Sequence, residues 1–165
     1  MDKIIYLDNA ASTPIDKSVA LEMAKAAKLY GNPSSYNNCG REAREYIEKA
    51  RLKVARFLGA HSDEIVFTSS GTESNNLVIL GLAGAIGKGE IISTPIEHPS
   101  VLKPLELLKQ KGWKVGFTKV NKEGLVDLSD LKAKLNSRTA LVSVMYANNE
   151  IGTIQPIAEI FKIVK

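Results

Sequence analysis

Three short polar stretches carry residue types that could do chemistry together: Ser69-Ser70-Gly71-Thr72-Glu73, the histidine of IEHPSVL, His98, and the asparagine pair of ANNEIGTIQP, Asn148 and Asn149. The first follows the apolar residues Ile65, Val66 and Phe67. Its small residues let backbone N–H groups approach a ligand, and a helix beginning near Thr72 adds the positive end of its dipole, an arrangement suited to phosphate. Ser70-Gly71-Thr72-Glu73 is equally an S-x-x-E capping box, which satisfies helix amides with no ligand at all. His98 can donate, accept or carry a proton, although a lone histidine at a helix mouth is also an ordinary cap or surface residue. Asparagine and glycine are common turn formers. On one edge of a sheet, however, the three stretches would line a single pocket with amide donors, an imidazole and a phosphate seat.

The elements that must position them alternate. The pattern predicts a short strand at Ile4–Leu7, a helix in DKSVALEMAKAAKLY ended by YGNPSS, and a second helix in REAREYIEKARLKVARFLG with Gly59 at its C-cap. Strand and helix then alternate: EIVF, TESNNLVILGLAGAI, EIISTP, VLKPLELLKQK, WKVGFTKV, LSDLKAKL, TALVSVMY and PIAEIFKIVK. Such alternation implies an α/β fold, mainly a parallel sheet with helices on both faces. Ligands of such sheets sit outside the carboxyl ends of the strands, where all three polar stretches fall. The glycines Gly81, Gly84, Gly87 and Gly89 follow a helix rather than a strand, so they read as a helix end and turn, not a dinucleotide loop. Trp113 opens a strand and reads as core or interface.

Composition narrows the class. The 165 residues are 44% hydrophobic and 24% charged, with a net charge of +4 and one cysteine. Lysines and arginines interleave with acidic residues, which argues against nucleic acid as a partner. No stretch reaches the ~20 apolar residues needed to span a bilayer. Position 2 is acidic and the first apolar run is short, so the amino terminus does not read as a secretory signal, and the cytoplasm is the default. A single cysteine allows neither an internal disulfide nor a thiolate metal site, and no metal is expected. Residues 1–165 read as one domain.

LDNAAST, GNPSS, TSSGTESNN, IEHPSVL and NNEIGTIQPI stand in the order and spacing of the amino-terminal half of cysteine desulfurases of the NifS/IscS type. The chain resembles these enzymes, which belong to the class V aminotransferase group of fold-type I pyridoxal phosphate enzymes, over essentially its whole length. The resemblance implies the amino-terminal part of that large domain. It implies pyridoxal 5'-phosphate as cofactor, with Gly71 and Thr72 holding its phosphate. His98 would stack on its ring and shuttle protons as the catalytic residue, and Asn149 would hydrogen-bond its phenolic oxygen. Asn9, Ala10 and Ala11 would lie near the substrate. The implied reaction converts L-cysteine to L-alanine and carries sulfur as a protein persulfide toward a sulfur-acceptor protein, for iron–sulfur cluster or thio-cofactor synthesis. The full enzyme would be a homodimer.

The sequence also departs from the pattern. Asn37 stands where close relatives commonly carry histidine, and Cys39 does not match the sulfur-accepting cysteine. The S-x-H-K segment, whose lysine carries the cofactor, and the H-x-D-x-x-Q segment, whose aspartate pairs with the pyridine nitrogen, do not occur in these residues. The expectation is therefore an incomplete class V aminotransferase domain, truncated before the cofactor lysine, inactive alone and completed by a complementary carboxyl-terminal half. The alternatives are a selenocysteine lyase or other class V fragment, and a non-enzymatic remnant that serves as an assembly partner. An open sheet edge and the apolar face of the last helix predict association of the lone chain.

Overall fold

A computed structural model describes residues 5–165, which fall into two compact units that divide between Phe67 and Thr68. In the first unit, helix α1 (Lys17–Ala26) starts at Asp16, whose carboxylate accepts the Ser18 amide at 2.8 Å. Helix α2 (Asn38–Leu58) starts at Asn37, which accepts the Gly40 amide at 2.8 Å, and stops at Gly59, whose φ of 66° is the left-handed conformation glycine adopts without strain. Asn37 thus has a structural task as a cap. The GNPSS loop packs so closely against the first turn of α2 that a Cβ on Gly31 would overlap the Cys39 carbonyl group. Tyr46 of α2 donates to Glu22 of α1 at 2.7 Å.

The first two strand expectations fail in this unit. Ile4 lies outside the described residues, and Ile5–Leu7 form no strand. Ile65, Val66 and Phe67 run on from a 3₁₀ turn (Ser62–Glu64) without a ladder. The Arg51 guanidinium lies 4.9 Å from the Phe67 ring centroid and binds the Ile65 carbonyl. Strand propensity is local, but a ladder requires a second strand, and none pairs with either segment among the described residues.

The second unit is the α/β sandwich that the alternation predicts. Strands β1 (Glu90–Ser93), β2 (Lys114–Phe117) and β3 (Thr139–Val142) form a parallel sheet in the order β2-β1-β3. Adjacent residues of a strand face opposite sides, so two neighbours in β1 serve two separate cores. Ile91 packs with Ile79 and Ala83 of helix α3 (Gly71–Ile86), Val101, Leu105 and Leu108 of helix α4 (Pro99–Gln110), and Trp113. Ile92 packs on the other face with Leu131 of helix α5 (Leu128–Lys134) and Ile160 of helix α6 (Ile157–Val164). Every residue of β1 is buried, as befits a central parallel strand covered on both faces. Gly89 is small because a Cβ there would meet the Trp113 ring at 2.9 Å.

Candidate active site

Gly71 opens α3. Ser70 caps it, its hydroxyl accepting the Glu73 amide at 3.2 Å, while the Glu73 carboxylate reaches back to the Ser69 amide at 2.7 Å. The Ser69 hydroxyl and amide together hold the Glu73 carboxyl below the usual glutamate range. Only the forward half of the capping box forms, because the Glu73 carboxylate returns to Ser69 rather than to the cap residue Ser70, and it consumes only some of the orphan donors of the helix start. The amides of Gly71 and Thr72 meet no acceptor among the described residues, and a Cβ on Gly71 would touch nothing within 4 Å. Two free amides, a hydroxyl and open space are what a phosphate group requires.

β1 leads through Thr94–Glu97 to His98, the N-cap of α4, whose Nδ1 accepts the Ser100 amide at 3.1 Å. Because α3 packs along α4, Thr72 and Asn76 line one cavity with His98, Ser100 and Lys103, with a volume of about 450 Å³. The structure thus brings two of the residue types singled out in the sequence, the helix-start hydroxyl and the imidazole, to one opening. A larger cavity, about 670 Å³, lies where the strands begin, around Gly89, Lys114 and Thr139. It is the wrong end of the sheet for chemistry of this kind. Its carboxylate, Glu90, is already bound by Asn136, Lys114 and Arg138, the Asn136 hydrogen bond first among the causes that hold it below the usual range.

The loop after β3 is tied to the loop after β1. The buried Glu97 carboxylate, 7% exposed, accepts the Met145 amide at 2.7 Å and the Thr94 hydroxyl at 3.0 Å. Burial pushes this carboxyl above the usual glutamate range, against the pull of those two donors. Asn148 donates to the Ile96 carbonyl at 2.9 Å, and its side-chain oxygen accepts the amides of Glu150 and Ile151 at 2.8 and 3.1 Å. Asn149 is exposed, its amide 3.2 Å from Glu150. Asn9, Ala10 and Ala11 occupy an exposed turn of the first unit. Cys39 is half-buried, 3.6 Å from the Tyr30 hydroxyl.

Sequence reasoning missed Glu97, Asn75 and Ser100. It passed over Asn148 in favour of its neighbour, and the buried Glu97 beside His98 had no pattern of its own. Among the described residues, no helix is long and apolar enough to cross a membrane, and no three His, Cys, Asp or Glu side chains are grouped to hold a metal ion.

The family model for class-V aminotransferases matches residues 5–165. The chain belongs to that family. Class-V aminotransferases and NifS-like cysteine desulfurases are pyridoxal phosphate enzymes, and the free amides of Gly71 and Thr72 with the imidazole of His98 are a donor set that fits a phosphate and an aromatic ring. The chain is 50% identical to the cysteine desulfurase IscS of Dictyoglomus turgidum over 168 residues, covering 100% of this chain and 43% of that relative. It is 44% identical to a putative cysteine desulfurase IscS 1 of Bacillus subtilis, covering 98% and 43%. Among solved structures, a NifS-like protein matches with a TM-score of 0.92 at 44% identity, covering 95% of this chain and 44% of that one. The apo cysteine desulfurase of Thermococcus onnurineus matches with a TM-score of 0.88 at 37% identity, covering 98% and 41%. This class-V aminotransferase chain thus spans less than half the length of the relatives it matches.

Proposed function

We propose that these residues are the cofactor-holding part of a pyridoxal phosphate-dependent cysteine desulfurase. In the overall reaction the C–S bond of L-cysteine breaks and its sulfur bonds to a cysteine thiolate of the enzyme as a persulfide. The β-carbon takes a proton and becomes the methyl group of L-alanine. Bound pyridoxal phosphate supplies the electron sink for this chemistry.

The chain's own part is to bind, orient and move protons. The Gly71 and Thr72 amides and the Thr72 hydroxyl anchor the phosphate at the start of α3, where the helix dipole favours a dianion. His98 provides a flat partner for the ring and carries the proton. Asn149 donates to the phenolic oxygen, and Asn9, Ala10 and Ala11 border the substrate. The lysine and aspartate of the family belong to a complementary carboxyl-terminal segment. We extend the reading to a homodimer in the cytoplasm that hands sulfur to an acceptor protein for iron–sulfur cluster or thio-cofactor synthesis.

The single observation that supports this most is the opening of Thr72 and His98 onto one cavity at the helix-start end of α3 and α4. Titration with pyridoxal phosphate, followed by equilibrium dialysis and visible absorbance, tests it. Saturable binding that weakens in Thr72→Ala is expected, with alanine and persulfide formed once the complementary segment is present. Binding that is absent, or indifferent to Thr72 and His98, overturns the reading.

A further inference from the structure

We propose that Ser100 and Asn75 are positioning residues that hold His98 in the tautomer with its proton on Nε2. The inference rests on the reading above, in which His98 serves a ligand in the cavity. The Ser100 amide points at Nδ1 from 3.1 Å, and an N–H donor can approach that nitrogen only where it offers a lone pair. The Ser100 hydroxyl lies 2.7 Å from the same Nδ1. Alone, that hydroxyl could donate or accept. Asn75 Nδ2, 2.8 Å away, donates to the Ser100 oxygen and occupies one of its two lone pairs, and with the Ser100 amide already pointing at Nδ1 the hydroxyl proton is the one left to face that nitrogen. Ser100 is itself buried, 8% exposed, so water does not compete freely for its oxygen.

Two donors thus converge on Nδ1, and the ring proton is left on Nε2. Nε2 then carries the ring N–H, so the hydrogen bond that the neutral His98 offers a ligand comes from Nε2. The device spans two helices: Asn75 sits in the second turn of α3 and reaches Ser100 in the first turn of α4. The packing of α3 on α4 therefore sets both the cavity and the protonation pattern of its imidazole.

The protein contains two histidines, His61 and His98, so long-range proton–nitrogen correlation spectra of the purified protein with labelled histidine can be assigned with one variant, His61→Gln. At a pH where the ring is neutral, His98 should show a single form, pyrrole-type at Nε2 and pyridine-type at Nδ1. Ser100→Ala and Asn75→Ala leave the backbone amide as the one undisturbed donor on Nδ1, so each should admit a minor form with the proton on Nδ1, and Ser100→Thr should restore the single form. In the complete holoenzyme Ser100→Ala should lower kcat about tenfold with little change in KM, short of the roughly 100-fold minimum set by loss of general acid–base catalysis. A proton on Nδ1 in the unsubstituted protein, or one tautomer ratio shared by all variants, overturns the proposal. Since the spectra need no cofactor, a retained single tautomer whose signals ignore added pyridoxal phosphate would instead indict the functional reading.

Discussion

The Glu97 carboxylate accepts the backbone amide of Met145 at 2.7 Å, and with the Asn148–Ile96 bond this contact ties the segment that ends in His98 to the segment that leads to Asn148 and Asn149. The Glu97–Met145 bond joins residues 48 apart in sequence, and its acceptor is buried. Breaking it would leave the Met145 amide without that partner, at a cost of about 1–3 kcal/mol. Glu97→Ala should lower stability by that amount in denaturant unfolding and loosen both loops in hydrogen exchange.

The same residue gives a pH signature. Burial raises the Glu97 carboxyl, so between the ordinary glutamate pKa of about 4.3 and its raised native value the folded state holds more protons than the unfolded chain. Its contribution to stability therefore falls as pH rises through that window and is constant above it. Glu90 and Asp130 act in the opposite sense. Hydrogen bonds from Asn136 and Lys134 respectively are the first causes that lower them, so their stabilisation disappears as pH falls through their native values. Subtracting the unfolding free energy of Glu97→Gln from that of the unsubstituted protein across pH isolates Glu97. A difference that rose with pH in the window would contradict its burial.

The first residue of α3 allows binding to be separated from folding. Gly71→Pro deletes one of the two free amides, while proline suits the first helical position and the extended Ser70 (φ −168°, ψ 163°) before it tolerates a following proline. Stability should be unchanged. Affinity for pyridoxal phosphate should drop roughly ten- to hundredfold, as expected for one charge-assisted hydrogen bond of about 1.5–3 kcal/mol. Gly71→Ala keeps the amide and meets no atom, so it should bind normally.

Gly31 offers a control far from that chemistry in the chain. Its Cβ would overlap the Cys39 carbonyl and approach the Gly40 nitrogen to 2.7 Å, and backbone at a helix start cannot step aside as a side chain can. Gly31→Ala should cost about 1–3 kcal/mol or more. Proteolysis should show the loss in the first unit, with the second unit unaffected.

Ser93 makes the opposite case. It is fully buried at the end of β1, and its hydroxyl has no hydrogen-bond partner among the described residues. Ser93→Ala should raise stability by about 1 kcal/mol, because an unsatisfied buried hydroxyl costs that order of free energy. A lower unfolding midpoint would reveal a partner for the hydroxyl.

Much of the fold was legible in the residues. The pattern of REAREYIEKARLKVARFLG marked α2, Gly59 marked its end, and the alternation of strand and helix patterns announced a parallel sheet covered on both faces. The failures were pairing failures: EIVF has the composition of a strand, yet Val66 and Phe67 are exposed and make no ladder. At the site, the helix start at Gly71 and the histidine cap at His98 were visible as motifs. Ser100 and Asn75 were not, because each looks like an ordinary first- or second-turn helix residue until the two helices touch.

Residue types and local spacing were enough to establish a helix start with amides free for an anion, an imidazole at a second helix start, and the order of strands and helices that leads to them. These are short-range matters of capping, period and backbone valence. Tertiary packing alone decided that the two helix starts share a cavity, that Glu97 rather than an exposed carboxylate braces the loops, and that Asn75 backs the Ser100 hydroxyl beside His98. Each of those depends on contacts between residues 25 to 48 positions apart, and no local periodicity encodes the docking of one helix on another.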